Sequence, residues 1–380
     1  WLGSPEMVSA VFLTDQVFDL VIFDEASQCP VERGLPAMLR GKQVVVAGDS
    51  KQLRPSDFYQ VKWENEEEGM EYEAESLLEL AAHFFENLQL RGHYRSADPG
   101  LIHFSNSHFY GNRLETLPDY ATVKAGKTPF SWEKTEGIWE NQVNLMEADA
   151  VLNRVQNILK GSPQDTIGIV TGNYFQMELI RELLWKGGFQ DSNLKVRNIE
   201  NVQGDEFDQV ILSLGYAPNR EGRLVTNFGL LGKTGAENRL NVAITRSRKI
   251  LHVISSIEPE DFRPGQLANP GLALLREFLA WVKVQSKARK IPSPEVKVTG
   301  FELDWSLKNQ LLKSDNSFSK EIPSAVIDLI FTDQEGNQKA ILTDDQRFFD
   351  APTARAAMAY HPILLEEKGW NWEWKWSRRF

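Results

Sequence analysis

The chain has 380 residues and a formal net charge of −11, from 42 lysines and arginines against 53 aspartates and glutamates. That length accommodates two or three domains with their own cores, and that charge excludes a uniformly basic nucleic-acid binder, so any strand-binding surface must be a local patch. The single cysteine, Cys29, excludes an internal disulfide and a cysteine zinc site and suits a reducing compartment; no apolar run approaches the roughly 20 residues that cross a bilayer, so a cytoplasmic monomer without a membrane partner is expected.

Leu20 to Phe23 form an uninterrupted apolar run, the pattern of a strand buried on both faces of a parallel sheet, and Asp24 and Glu25 follow it. In open α/β sheets ligands sit beyond the carboxyl ends of the strands, so these two carboxylates stand where a nucleotide would lie. Asp24 suits a magnesium ion, usually held through water. Glu25 suits orienting and deprotonating an attacking water. A DE pair alone equally suits a strand that ends in solvent. A second run, Val44 to Ala47, leads into Gly48, Asp49, Ser50, Lys51 and Gln52. Gly48 permits a tight turn, and Gln52 is placed to reach a γ-phosphate or the attacking water.

Eight glutamates fall between Glu64 and Glu79, and the early part of that stretch reads as a solvated loop before a helix rich in Leu and Ala. Strands at Ile167 to Thr171, Val210 to Leu214 and Leu251 to Ser255, with helices between them, predict a parallel sheet with crossovers. A helix near Gly271 to Ser286 follows, then a linker at Pro292 to Pro294. The last segment predicts a helix around Trp305 to Leu312, strands at Ala325 to Phe331 and Lys339 to Leu342, a helix near Thr353 to Lys368 and a Trp-rich strand. There Trp370, Trp372, Trp374 and Trp376 alternate with polar residues, which on a strand puts four indoles on one face. That face either packs on the domain's own helices or offers a platform to unpaired bases, each stack being worth about 1 to 3 kcal/mol.

DEASQ (24–28) followed by GDSKQLRPS (48–56) resembles motifs II and III of superfamily 1 helicases, in the branch of the nonsense-mediated-decay helicases and their bacterial relatives. LRGHYRS (90–96) with LIHFSNSHFY (101–110) resembles motif IV of the same branch, which makes Arg95 the candidate γ-phosphate arginine; a lone arginine is otherwise an ordinary surface ion-pair partner. NIENVQGDEFDQVILSLGY (198–216) resembles motif V: Gln203 and Gly204 would line the cleft and Glu206 would bind the ribose. ENRLNVAITRSRKILHVISS (237–256) resembles motif VI, with Arg246 as arginine finger and Arg239 and Arg248 beside it. The apolar spacing of Leu240, Ala243 and Ile244 suits a core-facing helix, but does not account for the arginines. TIGIVTGNYFQ (166–176) resembles an Ia-like strand and loop in which Thr171 and Gln176 would touch the nucleic-acid backbone. WLGSPEMVSAVF (1–12) resembles the segment before motif II, with Ser4 and Pro5 near the bound strand. An ordinary strand-to-helix turn explains both segments equally well.

The resemblance implies an α/β chain of RecA-like P-loop NTPase motor domains with parallel sheets: a partial first motor domain at 1–85, a second at 86–258, a helix and linker at 259–295, and a small α+β restriction-endonuclease-like domain at 296–380. It implies ATP and Mg²⁺ as cofactors and single-stranded nucleic acid as partner, DNA favoured over RNA, with travel from 5′ to 3′. A motor of this family needs a GxxxxGK[ST] loop to cradle the phosphates, and none occurs here; the GKT of Gly232, Lys233 and Thr234 lacks the earlier glycine and reads as a loop. The expectation is therefore the C-terminal part of a longer enzyme, unable to complete an ATP site alone.

The last domain resembles the very-short-patch-repair-like branch of the PD-(D/E)XK nucleases. Active members bind magnesium through carboxylates on adjacent strands. Asp328 and Asp344 survive here, but Leu342 stands where a glutamate is common and Phe349 where a histidine is. A degenerate nuclease fold kept for binding or scaffolding is expected. Two function classes stay open: an ATP-dependent helicase or translocase, and a module that holds nucleic acid or a partner without turnover.

Overall fold

The computed structural model describes residues 1–14, 18–55, 74–189, 193–224, 227–233, 235–287, 307–319, 326–349, 351 and 353–379. The early acidic stretch, the 292–294 linker, Thr234, Trp305 and Ala325 lie outside the described residues.

The first unit comprises α1 (Pro5–Val11), β1 (Phe18–Phe23), α2 (Val31–Met38), β2 (Gly41–Val46) and α3 (Leu77–Phe84). β1 and β2 pair in parallel with Val21 opposite Val44 and Phe23 opposite Val46. One face of this pair carries Val21, Phe23, Val44 and Val46 into a small core with Ala37 and Leu77. The other face leaves Leu20, Ile22 and Val45 exposed, at 46%, 63% and 48%. Among the described residues only one face of this two-stranded pair is covered.

The second unit begins with β3 (Gly92–His93), α4 (Gly100–Phe109), β4 (Glu115–Thr116) and α5 (Tyr120–Ala125). It continues through β5 (Phe130–Lys134), α6 (Leu145–Gly161), β6 (Ile167–Thr171), α7 (Tyr174–Lys186), β7 (Leu194–Asn198), β8 (Phe207–Ser213), α8 (Ala236–Ile244), β9 (Ser247–Ser255) and α9 (Pro270–Gln285). Its sheet has five strands in the order β5-β9-β8-β6-β7, all parallel, the RecA-like arrangement. The central strands are apolar on both sides, as helices on both faces demand: Ile167, Ile169, Ile211 and Ile254 face one core with Val151 and Ile180. Val170, Val210, Leu212 and Val253 face the other, with Leu240, Leu275 and Phe278. α9 belongs to this second core rather than to a linker.

The third unit contains α10 (Leu307–Ser314), β10 (Phe318–Ser319), β11 (Leu329–Thr332), β12 (Gln338–Thr343), α11 (Gln346–Phe349), α12 (His361–Glu367) and β13 (Trp372–Lys375). Its four strands lie in sequence order, antiparallel but for the last pair, β12 with β13. Leu342 is buried among Ile330, Leu365 and Trp370, whereas Phe349 is 74% exposed. The four indoles do not form one platform. Trp370 is buried and donates from Nε1 to the Pro118 carbonyl at 2.8 Å; Trp374 and Trp376 stack on each other at 4.8 Å with Phe348 edge-on to both.

Candidate functional site

The carboxyl ends of β1 and β2 set the first half of the site. The Ala26 amide donates to Ala47 O, and the Ala47 amide donates to Phe23 O, which draws the two post-strand turns together. A Cβ at Gly48 would stand 3.0 Å from Ser27 N and 3.1 Å from Ala26 N. Gly48 is thus required by close backbone approach, not by an unusual φ. Glu25 has a left-handed φ of 52°, uncommon for a residue with a side chain, and its amide donates to Asp24 Oδ1 at 2.9 Å.

After Gly48, Asp49 organises the loop. It accepts from the Lys51 amide and from Gln52 Nε2, both at 2.9 Å, and from the Tyr110 hydroxyl at 2.6 Å. Burial, followed by the Asp49 charge, pushes the Tyr110 phenol above its ordinary range, so it stays a neutral donor.

The second unit supplies the facing half. Two asparagines one turn apart on α8 hold the 50–52 backbone: Asn238 Nδ2 donates to Gln52 O at 2.8 Å and Asn241 Nδ2 to Lys51 O at 2.8 Å. Arg246, just past α8, is 2% exposed. Its Nε donates to Val242 O at 2.9 Å, and its Nη2 lies 3.4 Å from Gln52 Oε1. Burial first, then the Arg95 charge, lowers its pKa to about 10, so the guanidinium remains charged at neutral pH.

Gln203 joins the halves directly. Its Nε2 donates to Glu25 Oε2 at 2.6 Å and its Oε1 accepts from the Leu53 amide at 2.9 Å. Gly204 beside it adopts a φ of +80° with open space where a Cβ would stand. Arg95 Nε donates to Glu206 Oε2 at 2.9 Å and Nη1 to Thr245 O at 3.4 Å. Arg248 lies 3.8 Å from the other oxygen of Glu206. Arg239 pairs instead with Glu200 at 3.3 Å. Glu206 therefore aligns two arginines here.

Glu25, Gln52, Arg95, Gln203, Glu206 and Arg246 thus lie together where the first two units meet, and Asp24 adjoins them. Asp49, Tyr110, Asn238 and Asn241 fasten the 49–52 loop to the second unit and went unassigned in the sequence; the one available signal was the i, i+3 spacing of the two asparagines on the helix.

Thr171 and Gln176 are corrections. Both are 0% exposed. Thr171 Oγ1 donates to Asn173 O at 2.9 Å, and Gln176 exchanges two hydrogen bonds with the Asn144 backbone at 2.8 and 3.1 Å. Gln176 ties the start of α6 to α7, and the Thr171 hydroxyl is spent on the turn between β6 and α7. Ser4 accepts from the Met7 amide as N-cap of α1, with Pro5 at the first helical position, the ordinary start of a helix.

In the third unit, Asp328 accepts from the Thr343 amide at 2.8 Å, and Asp344 accepts from the amide and hydroxyl of Ser377 at 2.8 and 2.7 Å. Among the described residues no group of three or more His, Cys, Asp or Glu is arranged to hold a metal ion.

The strand-end DE pair, a glutamine and two arginines of the sequence motifs lie together where the first two units of this parallel α/β chain meet. Family models described as AAA domain match residues 6–57 and 73–258. The chain is 34% identical over 306 residues to the "Uncharacterized ATP-dependent helicase MG140 homolog" of Mycoplasma pneumoniae, covering 73% of this chain and 27% of the relative. It is 33% identical over 296 residues to the corresponding MG140 protein of Mycoplasma genitalium, covering 71% and 26%. Against "Helicase sen1" of Schizosaccharomyces pombe it is 24% identical, covering 72% of this chain and 17% of that one. The chain belongs to the superfamily 1 helicases. It spans about a quarter of the length of its two Mycoplasma relatives.

Proposed function

We propose that this chain is part of an ATP-dependent helicase or translocase that moves 5′ to 3′ on single strands, with DNA favoured over RNA. The observation that carries the proposal is the bridge from Glu25 through Gln203, with Gln52 and Arg246 meeting beside it. Bound ATP would supply the phosphoryl group for transfer. Asp24 would hold its magnesium, Glu25 would take the proton of the attacking water, and Arg95 and Arg246 would offset the charge that gathers on the phosphoryl oxygens. These residues fit the γ-phosphate and metal end of a nucleotide. The chain carries no GxxxxGK[ST] loop for the remaining phosphates, so turnover requires a segment supplied from outside these residues.

The test is a comparison of strand-stimulated ATP turnover in the longer protein and in this chain. Turnover only in the longer protein supports the proposal, and Glu25-dependent turnover by the 380-residue chain alone would refute the incomplete-site part of it. For the third unit we favour a degenerate nuclease fold used for binding or scaffolding, because both candidate carboxylates already accept hydrogen bonds from the chain.

A further inference from the structure

The third unit is not an appendage to the motor. α12 ends in a Schellman arrangement: the Gly369 amide donates to Glu366 O and the Trp370 amide to Leu365 O, with Gly369 at φ +74°. This stop aims Lys368 and Trp370 at the second unit. The Lys368 carbonyl accepts from the Tyr120 amide at 2.9 Å, at the first turn of α5. The Lys368 Nζ pairs with Asp119 at 2.7 Å and donates to the Tyr94 carbonyl at 3.0 Å. Trp370 packs against Tyr120, ring centres 5.0 Å apart. The core beneath is shared, since Leu117 lies among Val326, Leu342 and Leu365.

Tyr94 immediately precedes Arg95. From the far side the same loop is fastened to the motor, where the Ala97 amide donates to Arg248 O at 2.7 Å and the Asp119 amide to Ala97 O at 2.9 Å. His93 at the loop's start is half-buried; desolvation and then the charges of Arg95 and Lys368 lower its pKa to about 4, so a neutral ring accepts from the Ser96 amide. The arginine loop is therefore held between motif VI and a lysine of the C-terminal unit.

We propose that the C-terminal unit sets the aim of Arg95 through Lys368, a positioning residue for the hydrolysis assigned above, on which this inference rests. The Lys368 side chain is 16% exposed, and its bond to the Tyr94 carbonyl lies at an exposed position. A ligand or partner on the C-terminal unit that shifts α12 would then change ATP turnover without touching the nucleotide cleft.

The experiment has two arms. In this chain, amide hydrogen exchange of residues 94–97 is compared between the unsubstituted protein and Lys368→Met, which keeps chain length and removes the charge. Exchange there should quicken at least about tenfold as the loop opens locally. In the longer protein, Lys368→Met should lower kcat about 10- to 100-fold, the scale of misplacing a catalytic group by about 1 Å. The KM for ATP and single-strand affinity should stay within about twofold, and Lys368→Arg should recover much of kcat. Unchanged exchange overturns the proposal, as does faster exchange with unchanged kcat. A longer protein with no turnover in its unsubstituted form would refute the helicase assignment and this proposal together, whereas the other two results refute only the positioning role.

Discussion

Glu25→Gln separates chemistry from structure at the cleft, because the two effects differ in size. Glu25 Oε2 accepts one hydrogen bond, from Gln203 Nε2 at 2.6 Å, at a half-exposed position. A glutamine there can turn its Oε1 to the same donor, so the bond is kept but loses its charge assistance. That change is worth about 1 kcal/mol or less once solvent screening is allowed for. A chain of this size should then lose no more than about 2 to 4 °C in Tm. Loss of a general base costs about 10² to 10⁴ in rate, roughly 3 to 5 kcal/mol of barrier. The assay is strand-stimulated ATP turnover by the longer protein at saturating ATP, with nucleotide affinity and the melting temperature of the 380-residue chain measured alongside. The expected result is a large fall in kcat, nucleotide affinity within about threefold, and a nearly unchanged Tm. Turnover within about threefold of the unsubstituted protein would remove Glu25 from the role of base. A Tm falling by 10 °C or more would show that the carboxylate is chiefly a structural tie to Gln203.

Arg95→Ala should lower turnover by about 10³ to 10⁵ while leaving nucleotide-free single-strand binding nearly intact; a fall of less than tenfold sinks its assignment as the γ-phosphate arginine. Incubation of the protein with single- and double-stranded DNA in magnesium or manganese should leave the DNA intact, and cleavage abolished in both Asp328→Ala and Asp344→Ala would instead make the C-terminal unit a nuclease. Glu147 is fully buried, and burial lifts its carboxyl from 4.5 to about 7 against the opposing bonds from Gly215 N and Ser213 Oγ. The folded chain then holds a proton in that window that the unfolded chain releases. The stability linked to that proton is full below about pH 4.5 and lost as pH rises through 7, about 3 kcal/mol in all. Urea midpoints between pH 5 and 8 should show this slope, and Glu147→Gln should flatten it; equal slopes in the two proteins would contradict the assignment.

Much of this protein was already present in local sequence, because local physics decides it. The runs 167–171 and 44–46 are strands, and motif VI has its predicted helix and strand, because an apolar run with turn residues at its ends has few other ways to lie. The candidate residues were equally legible: DE, GDSKQ and the arginines of motifs IV and VI are brought together where the first two units meet. Partnership and exposure were not legible. Thr171 at a strand end and Gln176 in the first turn of the helix that follows are polar residues in the pattern of a ligand loop, yet both are enclosed; only the packing of α6 against α7 places Asn144 where it satisfies Gln176. Leu20 and Ile22 read as doubly buried, but exposure depends on what covers each face of a strand, which no run of four residues can state. Glu25 meets Gln203 across 178 positions and Lys368 meets Tyr94 across 274. Such contacts carry no local signal, since they exist only after the chain has met the entropic cost of closing loops of that length. The residue types named the groups that the proposed reaction would use, and the tertiary fold alone decided which of them face one another and that the C-terminal unit grips the loop of Arg95.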